Sequence, residues 1–92
     1  MKEKLLEMSL ELNRLRSLER EARLKGDADT SGAMRSEALA LEDEMRLLIE
    51  KAENETARRI LVLKYIDGLP PFRIRYVLGL SRGRYYRLME RV

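Results

Sequence analysis

The chain has 92 residues, enough for one small domain with a thin core, and its 19 Lys or Arg against 16 Asp or Glu leave a net charge of +3. With no Cys, no His, 5 Gly and 2 Pro, the inventory excludes disulfides, zinc sites and thiol or imidazole catalysis, and it favours helices with charged outer faces over a turn-rich β protein. No apolar run approaches the length of a membrane span, and Met1 is followed by Lys-Glu-Lys-Leu rather than a signal pattern, so the expectation is a soluble, cytoplasmic, all-α protein with no membrane contact and no cofactor or metal. Its carboxylates are scattered without converging on a nucleophile, which argues against an enzyme.

From Lys2 to Lys25 the apolar residues Leu5, Met8, Leu12, Leu15, Leu18 and Ala22 recur every three or four positions and predict one amphipathic helix. Glu19 with Arg23 and Glu21 with Lys25 are expected to form i,i+4 pairs on its wet side. Gly26 then opens the polar stretch Gly26-Asp27-Ala28-Asp29-Thr30-Ser31-Gly32, which offers a helix stop followed by several candidate N-caps.

A second stripe at Met34, Ala38, Leu41, Met45, Leu48 and Ala52 alternates steps of four and three, a coiled-coil-like heptad seam. Two such helices joined by a short turn predict an antiparallel helical hairpin over residues 1–54. Leu6, Leu10, Leu39, Leu47 and Ile49 widen the apolar face beyond the seams. The hairpin is therefore expected to pack also on the C-terminal part or on a second copy, and a homodimer is the favoured assembly.

No Gly or Pro lies between Ala33 and Asp67, so the second helix can run on, although Asn54 and Thr56 are candidate caps for a new one. Ala57 to Ile66 carries Ile60, Leu61, Leu63 and either Tyr65 or Ile66 on a helical period, ended by Gly68-Leu69-Pro70-Pro71. Pro71 suits a first helical turn, and Phe72 to Leu78 follows with Ile74, Val77 and Leu78 expected inward. Gly79-Leu80 makes a turn, Ser81 an N-cap, and Arg82 to Arg91 a last helix with Tyr85, Leu88 and Val92 on its apolar face. Residues 55–92 thus predict a three-helix module whose last two helices form a helix-turn-helix.

Charge is divided along the same boundary: residues 1–54 sum to −3, whereas residues 55–92 hold nine basic against three acidic residues and sum to +6. Eight of those nine are Arg, whose planar fork suits phosphates and guanine edges. Opposite the apolar face of the last helix lie Arg82, Gly83, Tyr86, Arg87 and Glu90. In the major groove Arg82 and Arg87 would read guanine edges, Tyr86 would pack on a thymine methyl or bond a phosphate, and Gly83 would admit close backbone approach. Arg84 and Arg91 on the flank, with Arg73 and Arg75, are better placed for phosphates.

Tyr65-Ile66-Asp67-Gly68-Leu69-Pro70, Ile74, and Leu78-Gly79-Leu80-Ser81-Arg82 resemble the DNA-binding region 4 of sigma-70-type factors over roughly residues 58 to 92. The run Ser81-Arg82-Gly83-Arg84-Tyr85-Tyr86-Arg87-Leu88 also resembles small phage late-transcription activators of the ArpU and RinA type. The resemblance implies sequence-specific binding of double-stranded DNA by a phage or bacterial transcription regulator, sometimes with contact to RNA polymerase. It marks Ser81, Arg82, Arg84, Tyr86 and Arg87 as recognition residues. Arg75 departs from the pattern, since a small residue usually follows the position of Ile74. Its stem must snorkel outward or the helices must cross differently. The Tyr-Tyr-Arg signature occurs in transposase helix-turn-helix segments too. A helical adaptor for a protein partner such as RNA polymerase and the DNA-recognition subunit of a phage packaging motor are the alternatives.

Overall fold

Five helices carry the whole chain in the computed structural model, which describes residues 1–92 and is all-α. The long α1 (Lys2–Leu24) and α2 (Ala28–Ile49) precede the short α3 (Glu55–Leu61), α4 (Pro71–Leu78) and α5 (Arg82–Glu90), and α3 continues into a π-type turn, Val62–Ile66.

Gly26 stops α1 with a φ of 75°, a left-handed conformation that costs glycine little, and the Asp27 N–H donates to the Ala22 carbonyl at 2.9 Å. Asp27 then caps α2. Its side chain accepts from the Thr30 N–H at 3.1 Å, and hydrogen bonding to Thr30, from its side chain first and its N–H second, holds the carboxyl below the usual carboxylate range. The two helices run antiparallel: Arg16 pairs with Glu42 across them, while Glu19, nearer the turn, meets Ser31 and Arg35.

Glu21 and Lys25 form the expected pair at 2.9 Å, but Glu19 does not turn to Arg23. It faces α2 instead, with only 14% of its side chain exposed. There it accepts from the Ser31 hydroxyl at 2.9 Å and from Arg35 at 3.2 Å, and those bonds depress its carboxyl pKa. A carboxylate beside a seam gains more from a fixed donor on the neighbouring helix than from a solvated arginine one turn along.

The break between α2 and α3 is made without Gly or Pro. Lys51 and Ala52 close a tightened last turn onto the Leu48 and Ile49 carbonyls at 3.2 and 3.0 Å, and the buried Ala52 anchors the corner. Asn54, extended at φ −91° and ψ 126°, then accepts from the Ala57 N–H at 3.0 Å and starts α3.

At the far end of α3 the widened turn has a packing consequence. A π turn advances by roughly one residue more than an α turn. Ile60, Leu61, Tyr65 and Ile66 are all buried, so both candidates for the inward position are taken. The turn closes through Asp67 N–H to the Val62 carbonyl at 3.0 Å and Leu69 N–H to the Leu63 carbonyl at 2.9 Å.

One hydrophobic core crosses the boundary at residue 54. Leu5, Leu12 and Met45 from the hairpin and Ile60, Leu61, Ile66, Ile74 and Tyr85 from the C-terminal part are all but fully buried within it. Ile49 belongs to this core rather than to a flank. Leu6, Leu10, Leu39 and Leu47 do not, and remain exposed. Two long side chains of α1 also bind backbone carbonyls of the C-terminal part: Arg16 donates to Ile66 at 2.6 Å and Lys2 to Met89 at 2.8 Å. The turn end of the hairpin projects beyond these attachments. The radius of gyration is accordingly 15.0 Å, with extents of 46 × 24 × 17 Å, against about 12 Å for a compact domain of this length.

A single core predicts a single transition. Leu12→Ala should cost about 2 to 5 kcal/mol and should lower the urea midpoints of far-ultraviolet circular dichroism and of tyrosine fluorescence together, although the tyrosines all lie after residue 64. Separate midpoints would mean that hairpin and C-terminal part unfold independently.

Candidate nucleic-acid interface

α4 begins at Pro71, where a missing N–H leaves nothing unpaired, after Pro70 in extended conformation. It ends at Gly79, whose φ of 65° lets the Leu80 N–H donate to the Arg75 carbonyl at 2.9 Å. The chain leaves this cap in a new direction. Ser81, at φ −69° and ψ 159°, starts α5 by accepting from the Arg84 N–H at 3.2 Å. Two short helices joined by Gly79-Leu80-Ser81 are the result.

Tyr85, Leu88 and Met89 are the buried face of α5, and they rest against α3. Met89 was not expected there. It is buried beside Leu88, whereas Val92 is only half-buried. On α4, Ile74 is fully buried and Leu78 partly, but Val77, expected inward, is 56% exposed. Eight residues give α4 one inward stripe, and with Ile74 at its centre Val77 falls outside it. Phe72 and Tyr76 share the outer face, and Tyr76 is 86% exposed.

Arg82, Gly83, Arg84, Tyr86, Arg87 and Glu90 are all exposed on α5, as are Arg91 at its C-cap and Arg73 on α4. The five ion pairs of the protein lie between residues 11 and 59. Arg73, Arg75, Arg82, Arg84, Arg87 and Arg91 therefore have no carboxylate within 4.0 Å. Unneutralised guanidinium groups on one side of a helix make a local positive field that an anion can enter without displacing a partner. Arg75 differs from the rest: it is half-buried, its Nε is out of reach of any acceptor, and its stem lies along the fold rather than away from it.

The exposed side of α5 divides into two parts. Arg84, Arg87 and Arg91, spaced by three and four residues, line one shallow recess with Leu88. Arg87 also folds back on its own helix, its Nε donating to the Gly83 carbonyl at 3.3 Å. Arg82 instead lies over the Tyr86 ring, 6.0 Å from its centroid. Tyr86 in turn stands edge-on to Tyr85, with centroids 5.0 Å apart and planes at 89°. Sequence spacing alone placed Arg82 and Arg87 together.

Tyr85 brings a polar atom into the core. Burial, and then the neighbouring Tyr86 and Tyr65, push its phenol above the usual tyrosine range, and no protein group accepts from or donates to its hydroxyl. Tyr85→Phe removes an unpaired buried group while keeping the ring. It should raise stability by up to about 1 kcal/mol, measured by urea unfolding, whereas a loss of that size would reveal a hydrogen bond to the hydroxyl.

No curated protein and no solved structure matches this chain. A family model described as "Protein of unknown function (DUF1492)" matches residues 22–92, which include all of α2 to α5 and hence the whole arginine-bearing face. The chain belongs to that DUF1492 family.

Proposed function

We propose that this protein binds double-stranded DNA through a helix-turn-helix formed by α4 and α5, and that it acts in the cytoplasm as a phage or bacterial transcription regulator rather than as an enzyme. One observation carries the reading: α5 exposes Arg82, Arg84, Arg87 and Arg91, none of them ion-paired, while its opposite face is locked into the core. A rigid helix with an uncompensated cationic face can lie in a major groove, where phosphates fix its position and base edges supply discrimination. The likeness of the Tyr65-to-Arg82 motifs to sigma-70 region 4, and of the Ser81-to-Leu88 run to phage late-transcription activators, supports the same reading. Within it, Arg84, Arg87 and Arg91 hold phosphates from their common recess, and Arg82 reads bases.

Gly83 supports this reading by having no task inside the protein. Its backbone is helical, and a Cβ there would meet nothing within 4 Å. A glycine that gives up helix stability without an internal reason suits a surface that something must approach closely.

A helical adaptor for a protein partner such as RNA polymerase is the second reading, and the exposed Phe72, Tyr76 and Val77 favour it. These residues belong to α4, whereas Arg82, Arg84 and Arg87 belong to α5. The exposed leucines of the hairpin would serve the proposed homodimer, whose mass is measurable in solution.

Duplex binding should weaken steeply with salt. Four phosphate contacts give a logarithmic slope of about −3.6 and roughly a hundredfold loss between 50 and 200 mM salt. A flat salt profile, or no binding to a pool of random duplexes, overturns the proposal. Arg82→Ala should erase preference at one base pair, whereas Arg73→Ala and Arg87→Ala should weaken all sequences alike and lower the slope by about 1 each.

Gly83→Ala should raise stability by about 0.5 kcal/mol yet weaken duplex binding. Gly32→Ala is the control, because Gly32 is also helical with nothing within 4 Å of a Cβ but lies on α2. It should stabilise and leave binding unchanged. Equal binding by both variants would remove Gly83 from the interface.

A further inference from the structure

The two arginines that sequence spacing pairs on the outer face of α5 are held in different ways. Arg87 is spent on its own helix through the Gly83 carbonyl and shares a recess with Arg84 and Arg91. The Arg82 side chain makes no hydrogen bond and no ion pair, and its guanidinium lies over the Tyr86 ring. Tyr86 is 47% exposed, so part of its ring is covered, and what stands against it edge-on is Tyr85, which is 1% exposed and fixed in the core. A chain of contact therefore runs from the core through two rings to a guanidinium at the first turn of α5.

We propose that Tyr86 is a positioning residue for Arg82, holding its guanidinium in the orientation that reads a base edge, and does not itself contact a base. The inference rests on the DNA-binding reading above and assigns the discrimination of that site to one arm. The physical case is entropic. A free arginine on a surface samples many rotamers and must give them up to make a bidentate contact. A guanidinium already resting on an aromatic face has given up part of that freedom before DNA arrives, so more of the contact energy appears as discrimination. The ring face is what matters, so phenylalanine should serve as well as tyrosine. The tyrosine hydroxyl has no part in it.

Two measurements test this, and the first needs no DNA. In the free protein, the Arg82 side-chain proton resonances should be displaced by the ring current of Tyr86. The displacement should persist in Tyr86→Phe and vanish in Tyr86→Ala, while Arg84 resonances stay unmoved. Unaltered Arg82 resonances in Tyr86→Ala would overturn the proposal whether or not the protein binds DNA.

The second is a double-mutant cycle on duplexes selected by the wild type, with each base pair of the site varied in turn. Arg82→Ala identifies the base pair that Arg82 reads. Tyr86→Ala should lower discrimination at that same base pair by about two- to fivefold, should add nothing in the Arg82→Ala background, and should leave the salt slope unchanged. Tyr86→Phe should restore wild-type discrimination. If Tyr86→Ala instead acts at a different base pair, or its effect adds to that of Arg82→Ala, Tyr86 is a DNA contact in its own right and the proposal falls. If Tyr86→Phe loses as much as Tyr86→Ala, the hydroxyl is the active group, and the proposal falls as well. Wild-type protein that binds no duplex at all would refute the function proposed in the preceding subsection, and the resonance measurement would still decide the role of Tyr86.

Discussion

Arg16 reaches out of α1 with both terminal guanidinium nitrogens engaged, Nη1 on the Ile66 carbonyl and Nη2 on the Glu42 carboxylate, each at 2.6 Å. Ile66 ends the π turn, and the chain then bends away through Gly68, so its carbonyl has no continuing helix to donate to it. Such an acceptor calls for a donor from outside its own helix. Arg16 supplies the donor, and Glu42 fixes Arg16. Three elements, α1, α2 and the end of α3, thereby meet at one point, and α3 is the surface on which α5 rests. At the other end of α1, Lys2 donates to the Met89 carbonyl in the last turn of α5, where a cation is also favoured by the helix dipole. The hairpin is thus the support that sets where the arginine face points, in addition to being a candidate surface for self-association.

What could be read in advance, and what could not, follows from the range of the interactions. The stripes of α1 and α2, the stop at Gly26, the cap at Ser81 and the left-handed Gly79 are local patterns, encoded within a few residues, and each is found where its spacing places it. Arg16, Glu19 and Met89 have no such signature. The partners of Arg16 are 26 and 50 residues away, and nothing in the periodicity of α1 distinguishes it from Arg14, which merely pairs with Glu11 on the surface. Val77 was misplaced because a short helix has too few turns to average out one residue at the margin of its stripe. The π turn is invisible for a related reason: it comes from packing two large residues, Tyr65 and Ile66, rather than from any residue that breaks a helix. At the candidate interface, sequence spacing correctly placed the arginines on the exposed side of α5. It had no means of separating Arg82 from Arg87, since that separation depends on side-chain partners one turn away.

The distribution of ion pairs adds an energetic argument. Every carboxylate–cation pair lies before residue 60, and the arginines beyond are left to repel one another with only Glu90 among them on α5. A stability-optimised surface would intersperse the two signs. Arg75, half-buried with its Nε unpaired, is a second local cost, and the unpaired Tyr85 hydroxyl a third. These sites lie on α4 and α5, whereas in the hairpin the buried polar side chain, Ser31, donates to Glu19. A small helical unit that concentrates its unsatisfied groups and its like charges on two adjacent helices depends on the rest of the chain for stability. The shared core with α1 and α2 provides it.

That dependence gives the proposed interaction a direction. Repulsion among Arg82, Arg84, Arg87 and Arg91 is relieved when a polyanion takes the place of solvent beside them, and the field that destabilises the free chain is the field that draws the ligand in. Relief of this kind is indifferent to sequence, so it accounts for affinity and leaves discrimination to a group whose position is fixed beforehand. Arg87, Arg84 and Arg91 share one recess and are interchangeable in that role. Arg82 is the cation on α5 braced on an aromatic pair that is itself anchored in the core, whereas Arg87 is tied to its own backbone at Gly83. Under the proposed reading, the division of labour between positioning and reading would arise along α5 and its C-cap, from which side chain each arginine meets.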